Sequence, residues 1–336
     1  MMTEKISLPE TDPDFPRAVA ARGQSELDVT LACLADPEKP AIEVGDAVLR
    51  EQLMQLARAH GVDGIVWRKF GGSLGAAGDE EMLHRIGRAM LLNRLRHEID
   101  AAFAASGVQA SVVKGPVFAA KLYSVRGDRL YTDIDLMVEH GALETANAVM
   151  KELGYVREDG GQGPRRSLEY KFVHPDHRHV LIELHGDMVH YPLLRRRAAF
   201  GRDELLRAGE GDAEAAGALL ATAIVHATLG HKFERLSMLV DVLQAARHLP
   251  QADYRSFAGT LCAMRLGLEC AVCLAVTARL FHDPASAELE RLFDAGLKGR
   301  FGKMLLTPRT LIATQGETAR GSWLRRKSFR LVQYLP

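Results

Sequence analysis

The chain has 336 residues, 47% of them hydrophobic, and its 43 Lys and Arg balance 43 Asp and Glu. That length suits one large or two moderate domains with their own cores. The zero formal net charge leaves no global field to gather nucleic acid or an anionic membrane.

The opening MMTEKISLPETDPDFP is polar and acidic, unlike a signal peptide, and residues 1–27 lack periodicity and read as loosely ordered. Residues 28–107 read as a helical N-terminal region. Its helical stretches are ELDVTLACLA, GDAVLREQLMQLARAHG with a stop at Gly61, and DEEMLHRIGRAMLLNRLRHEIDAAFAASG with a stop at Gly107. FGGSLGAAGD is a flexible loop between the last two. The texture then changes over residues 108–191. QASVV reads as a strand, KGP as a sharp turn, VFAAKLY as a short helix and LYTDIDLMVE as a second strand. GALETANAVMKELG is a helix ended by Gly154, YVRE a short strand, and LEYKFVH, PDHR and HVLIELHGDM a hairpin. Residues 192–336 are helical again and end in the basic, aromatic SWLRRKSFRLVQYLP, read as a solvated or docking helix. The apolar runs LLATAIVHATLG and CAVCLAVTARLF are too short and interrupted to span a bilayer, so a cytoplasmic protein is expected.

Two strands pose a chemical question. Side chains alternate faces along a strand, so Thr132, Ile134, Leu136 and Val138 share one face while Asp133 and Asp135 share the other. Paired carboxylates repel, and a divalent cation between them is one answer. A solvated sheet face, or pairing with Arg126 and Arg129, is another. In the hairpin's second arm Val180, Ile182 and Leu184 face one way, and His179, Leu181, Glu183 and His185 the other. A third carboxylate thus stands on a second apolar strand.

Other features carry less. The four cysteines fit neither a disulfide framework nor a zinc ribbon, and Cys270 and Cys273 lie in an apolar helical run that reads as packing. His226 and His231 in HATLGH are five apart, which on an α-helix points them away from one another, so no zinc motif is implied. The tripeptide Arg126-Gly127-Asp128 reads as chance.

Three carboxylates on adjacent strands, behind a strand, glycine turn and helix, can serve two-metal in-line phosphoryl displacement. The stretch VVKGPVFAAKLYSVRGDRLYTDIDLMV resembles the signature of the polymerase-beta-type nucleotidyltransferase superfamily. Its bacterial branch of uncharacterised nucleotidyltransferases is the most similar, with Lys-Gly before a short helix ending in Leu-Tyr, then Arg, then Asp-Ile-Asp-Leu. LARAHGVDGIVWRKF, IELHGDM and HATLGHKFERLSMLVDV extend the similarity over roughly residues 30–250.

The resemblance implies an α+β fold, with a small mixed nucleotidyltransferase palm sheet over residues 108–191 flanked by the helical N-terminal and C-terminal regions. It implies Asp133, Asp135 and Glu183 as ligands of Mg2+ or Mn2+, with Glu183 also able to take the acceptor's proton. Gly115 would let backbone approach the phosphates, while Lys114, Arg129 and a helical Lys232 would neutralise the triphosphate. His185 falls on the acceptor side or braces Glu183. Gly115-Pro116 departs from the usual Gly-Ser or Gly-Gly turn, because Pro116 donates no N–H.

The function expected from this is transfer of a nucleoside monophosphate from an NTP, ATP first among them, to a hydroxyl or phosphate. The acceptor is a small molecule, saccharide, peptide or protein, with no membrane and no nucleic acid partner. A metal-dependent D-x-D glycosyltransferase is an alternative, weakened by helices where an alternating β/α nucleotide-sugar half would be. A non-catalytic binding or regulatory module on the same fold is another. The helical flanks are expected to wall the acceptor pocket, since the small sheet cannot enclose two substrates.

Overall fold

The structure, a computed structural model, describes residues 26–72, 76–158, 168–177, 180–306, 308–312 and 326–334. The expectations for residues 1–25, for the tip of the FGGSLGAAGD loop, for Arg178 and His179, and for most of the tail before residue 326 lie outside the described residues.

Five strands form one mixed sheet: β1 (Ala110–Val113), β2 (Asp133–Val138), β3 (Val156–Arg157), β4 (Glu169–Val173) and β5 (Leu181–His185), in the order β1-β2-β5-β4-β3. β2 runs parallel to β5 and antiparallel to β1, while β4 is antiparallel to both β5 and β3. This is the α+β architecture expected, with β4 and β5 as the anticipated hairpin. A parallel β2–β5 pair needs a long crossover, which the helix Leu143–Glu152 and the strands β3 and β4 supply.

Alternation along the strands separates the two faces. Ile134, Leu136, Tyr170, Phe172, Ile182 and Leu184 are fully buried in a core that Leu92, Ile99 and Phe103 of the helix Ala76–Ala105 and Met150 of Leu143–Glu152 close. Each such side chain contributes roughly 1.5–3 kcal/mol of burial. The opposite face carries Asp133, Asp135, Glu183 and His185, and further along β2 it closes over Met137, which joins a larger helical core. That second core draws on Leu34, Leu53 and Ile65 before the sheet and on Ile224, Leu239 and Val272 after it. The helices flanking the sheet in sequence therefore share one interior, and the polar end of β2 opens against them.

Local chemistry sets the boundaries. The carboxylate of Asp46 accepts from the N–H groups of Val48 and Leu49 (2.8 and 3.3 Å) and starts the helix Ala47–His60, which Gly61 ends at φ 67°. A Cβ at Gly61 would also come within 3.0 Å of Ser237 Oγ, so both backbone angle and space call for glycine. β2 begins at Asp133 rather than at Leu130. The carbonyls of Leu130 and Thr132 are taken by Arg129 and Arg88, and Tyr131 donates to Ala89 O, so this segment is tied to side chains and to the helix Ala76–Ala105 instead of a ladder.

The helical reading of residues 192–336 is interrupted between residues 226 and 235. The helix Ala216–Val225 passes into a π turn at His226–Gly230, Lys232 and Phe233 adopt φ of 53° and 61°, and a new helix runs over Leu236–His248. Cys270 and Cys273 are fully buried in the helix Gly267–Phe281, as packing predicts. Asp128 of the Arg-Gly-Asp tripeptide is held by Arg68 through two 2.6 Å bonds. No helix among the described residues is long and apolar enough to cross a membrane.

Candidate active site

The sheet register assembles the polar face. Asp135 of β2 is the direct partner of Glu183 on β5, and Glu183 is the partner of Lys171 on β4. Side chains at paired positions share a face, so Asp133, Asp135, Glu183, His185, Glu169 and Lys171 stand together.

Asp135 is 2% exposed and doubly paired: Lys114 Nζ lies 2.7 Å and His185 Nε2 2.9 Å from its Oδ1. His185 Nε2 also reaches Glu183 Oε2 at 3.5 Å. Lys171 Nζ bridges Glu183 Oε1 at 2.6 Å and Glu169 Oε1 at 3.2 Å. His190 Nδ1 lies 3.3 Å from Glu169 Oε2, an ion-pair contact without hydrogen-bond alignment. Asp133, in contrast, has no hydrogen-bond or salt-bridge partner among the described residues.

Protonation follows from these contacts. Burial and repulsion from Asp135 push the pKa of Asp133 up, and Lys114 only partly offsets them. Burial also works against ionised Asp135, but Lys114 and His185 outweigh it and lower its pKa. Glu183 is held far below the usual carboxylate range, burial notwithstanding, by His185 and Lys171. Burial disfavours charged His185, yet Asp135 and Glu183 raise its pKa to about 9, so the ring is an imidazolium between two carboxylates. Lys114 is likewise desolvated, and the carboxylates Asp135, Asp133 and Glu183 nonetheless raise its pKa.

Lys114 links β1 to the helix Gly115–Lys121 at φ 60°, ψ −146°, a region sparsely used by residues with a side chain. Such a conformation costs about 1–3 kcal/mol, and the ion pair with Asp135 holds it. Pro116 sits in the first helical turn, where a missing N–H removes no bond, and Val117 and Phe118 donate to Lys114 O.

The polar face floors a cavity of about 510 Å3. Arg58, Gly61 and Arg85 line it from the N-terminal side, and His226, His231, Glu234 and Arg235 from the C-terminal side. Both helical flanks thus contribute walls to the space above the carboxylates.

Of the residues expected at the site, Lys114, Gly115, Asp133, Asp135 and Glu183 line this cavity, and His185 braces it from beneath. Arg129 lines it too, but its guanidinium grips Asp241 (Nε–Oδ1 2.7 Å, Nη2–Oδ2 2.9 Å) and donates to Leu130 O. Tyr123 donates to the same Asp241 carboxylate. Lys232 lies in the bend after the π turn rather than on a helix, and it is not among the residues lining the cavity. Its ammonium donates to Gly230 O and sits 4.5 Å over the Tyr191 ring.

The expectation that His226 and His231 point apart is corrected. A π turn closes its hydrogen bond between residues five apart instead of four, which brings positions five apart to nearly one face. His231 N–H donates to His226 O, and the rings meet edge to face with centroids 4.7 Å apart. Glu169, Lys171 and His190 are further site residues that the sequence reading did not single out. Glu169 and Lys171 alternate with buried Tyr170 and Phe172, a period-2 signal that would have put them on the polar face.

The donor set suits a hard divalent cation. Asp135, Glu183 and His185 can bring one ligand atom each within 4.8 Å of one another, and Glu169, His185 and His190 can do the same, His185 only after losing a ring proton. Asp133 adds an unpartnered carboxylate whose pKa is raised by burial and by the neighbouring Asp135.

A family model described as an uncharacterised nucleotidyltransferase matches residues 46–282. No curated protein and no solved structure matches the chain.

Proposed function

Because the chain belongs to that uncharacterised nucleotidyltransferase family, we propose that it moves a nucleoside monophosphate from an NTP to an acceptor hydroxyl or phosphate. Asp133, Asp135 and Glu183 would hold Mg2+ or Mn2+ at the cavity floor. The observation that carries this reading is the register of Asp135 with Glu183, with the unpartnered Asp133 beside them under one cavity.

When bound, the cation supplies Lewis-acid polarisation of the phosphoryl oxygens and a lowered pKa for the acceptor hydroxyl. The chain's own residues prepare that environment. Lys114 and His185 keep Asp135 ionised, and Lys171 and His185 do so for Glu183, so two of the carboxylates are ligands at neutral pH without any acidic or basic adjustment. A carboxylate held that far below its ordinary pKa is a weak proton acceptor, which favours Glu183 as ligand over Glu183 as general base. Lys114, strained and nine-tenths buried, is a fixed positive charge beside the floor and stands where a phosphoryl oxygen could use it.

ATP is the first donor to try, and the acceptor is a small molecule, saccharide, peptide or protein. The test is calorimetric titration of each NTP with Mg2+ into wild type and Asp133→Asn. Metal-dependent binding of one or more NTPs, lost in the variant, is the expected result. NTP binding indifferent to both metal and variant would remove the reading.

A further inference from the structure

Part of the cavity wall is built on the π turn, and its two histidines are not equivalent. His231 is anchored, with Nδ1 3.4 Å from Glu234 Oε2. His226 is not: its Nδ1 is buried without a partner, and the ring has no hydrogen-bond or ion-pair partner among the described residues. The helix Ala216–Val225 runs directly into it, and the turn commits its backbone carbonyl to His231 N–H. The backbone at His226 is therefore held by the turn, the ring packs edge to face on His231, and its polar edge is unused.

Which edge faces the cavity follows from burial. Nδ1 is shut off from solvent, so the nitrogen that His226 can offer to the cavity it lines is Nε2. An orphaned buried N–H costs more than a bare acceptor nitrogen, which favours the tautomer with the proton on Nε2. Burial, then Lys114, His231, Arg129 and His185, hold the ring's pKa well below its ordinary value, so it stays neutral. Burial does most to keep His226 uncharged, and Lys114 and Arg129 nearby, though each is paired with a carboxylate, favour an oxyanion over a cation beside it. Some phosphoryl oxygens would go to the proposed cation at the carboxylate floor, and the His226 side of the cavity is the favourable place for those left over.

We propose that His226 donates an Nε2–H hydrogen bond to a phosphoryl oxygen of the donor nucleotide. This deepens the nucleotidyl-transfer reading and rests on it. His226 then serves as a phosphate-binding residue placed by the end of the helix Ala216–Val225, and the π turn that follows sets His231 against it.

The experiment uses the full chain and two variants, His226→Phe, which keeps a ring without a donor, and His226→Gln, which keeps an N–H of similar reach. Affinities for the magnesium complexes of each NTP and of inorganic tripolyphosphate are measured by calorimetry. The expected result is that His226→Phe weakens NTP and tripolyphosphate by the same factor, about tenfold or more, while His226→Gln stays within about threefold of wild type. Wild-type affinity of His226→Phe for tripolyphosphate would overturn the proposal, because any remaining effect on NTP would then belong to the base or sugar. A loss in His226→Gln as large as in His226→Phe would also overturn it, in favour of ring packing. If wild type binds no magnesium nucleotide at all, the nucleotidyl-transfer reading falls and this inference with it. NTP and tripolyphosphate binding that survives intact in His226→Phe overturns this inference alone.

Discussion

Asp135 and Asp133 stand two residues apart on one face of β2, yet Asp135 is paired with both Lys114 and His185 while Asp133 is paired with neither. The two aspartates serve one site but differ in what they do for the fold. Asp135→Ala leaves the buried Lys114 charge without a partner and His185 with Glu183 alone, and is expected to cost about 3–5 kcal/mol. Asp133→Asn leaves nothing unpaired. Its carboxyl has a raised pKa in the folded state, so folding takes up a proton and the ionised form costs stability above the unfolded value near 3.8. Asparagine removes that cost, and metal-free Asp133→Asn is expected to be as stable as wild type or more so. Denaturant unfolding in chelator at pH 7 checks both, and equal destabilisation by the two substitutions would count against the pairing described.

Arg129 is braced by Asp241 from 112 residues away, and Tyr123 completes the cluster. Both charged partners are largely buried, at 13% and 1% side-chain exposure. Arg129→Met should therefore destabilise by about 3–5 kcal/mol, whereas the double change Arg129→Met with Asp241→Leu should cost clearly less. A double-mutant cycle with no coupling would show that Arg129 is not held as a structural brace.

The helix Glu26–Ala35 is joined to the C-terminal helices through Arg247, which binds Asp36 by two bonds of 2.8 and 2.9 Å and Asp283 by one of 2.8 Å. Burial raises the pKa of Asp36, but Arg247 outweighs it and the net shift is downward. A depressed carboxylate contributes stability above its unfolded value, near 3.8, and loses it as pH falls through the lower folded value. Wild type should thus lose stability more steeply than Asp36→Asn as the pH drops below about 4. Parallel acid profiles for the two proteins would contradict the account.

Lys171 competes with any cation for Glu183, its ammonium being 2.6 Å from Oε1. Lys171→Met removes one positive charge from the site and should tighten Mn2+ binding at least severalfold, at a small cost in metal-free stability because Lys171 is 43% exposed. Unchanged or weaker Mn2+ affinity would place the cation away from Glu183.

Much of the floor was legible because strand alternation is strictly period 2. Ile134 and Leu136 against Asp133 and Asp135, and Ile182 and Leu184 against Glu183 and His185, fix the polar face from sequence, and Gly61 and Gly154 mark helix ends by their positive φ. Glu169 and Lys171 obey the same rule on β4 and could have been placed with it. The walls were not legible in this way. The sequence does not announce a π turn, so a 3.6-residue period sends His226 and His231 apart when the real turn brings them together. The Arg129–Asp241 and Asp36–Arg247 pairs join residues 112 and 211 apart, and no local pattern specifies such partners. Lys232 was expected on a helix, but Lys232 and Phe233 themselves adopt positive φ and interrupt that helix.

The most direct test is electron paramagnetic resonance of Mn2+ titrated into wild type and Asp133→Asn, with and without NTP. The account predicts a bound Mn2+ in wild type whose affinity rises when NTP is present, and loss of that site in a folded Asp133→Asn. Mn2+ and NTP bound equally well by the variant would contradict it, because the unpartnered carboxylate of β2 would then have no part in holding the cation.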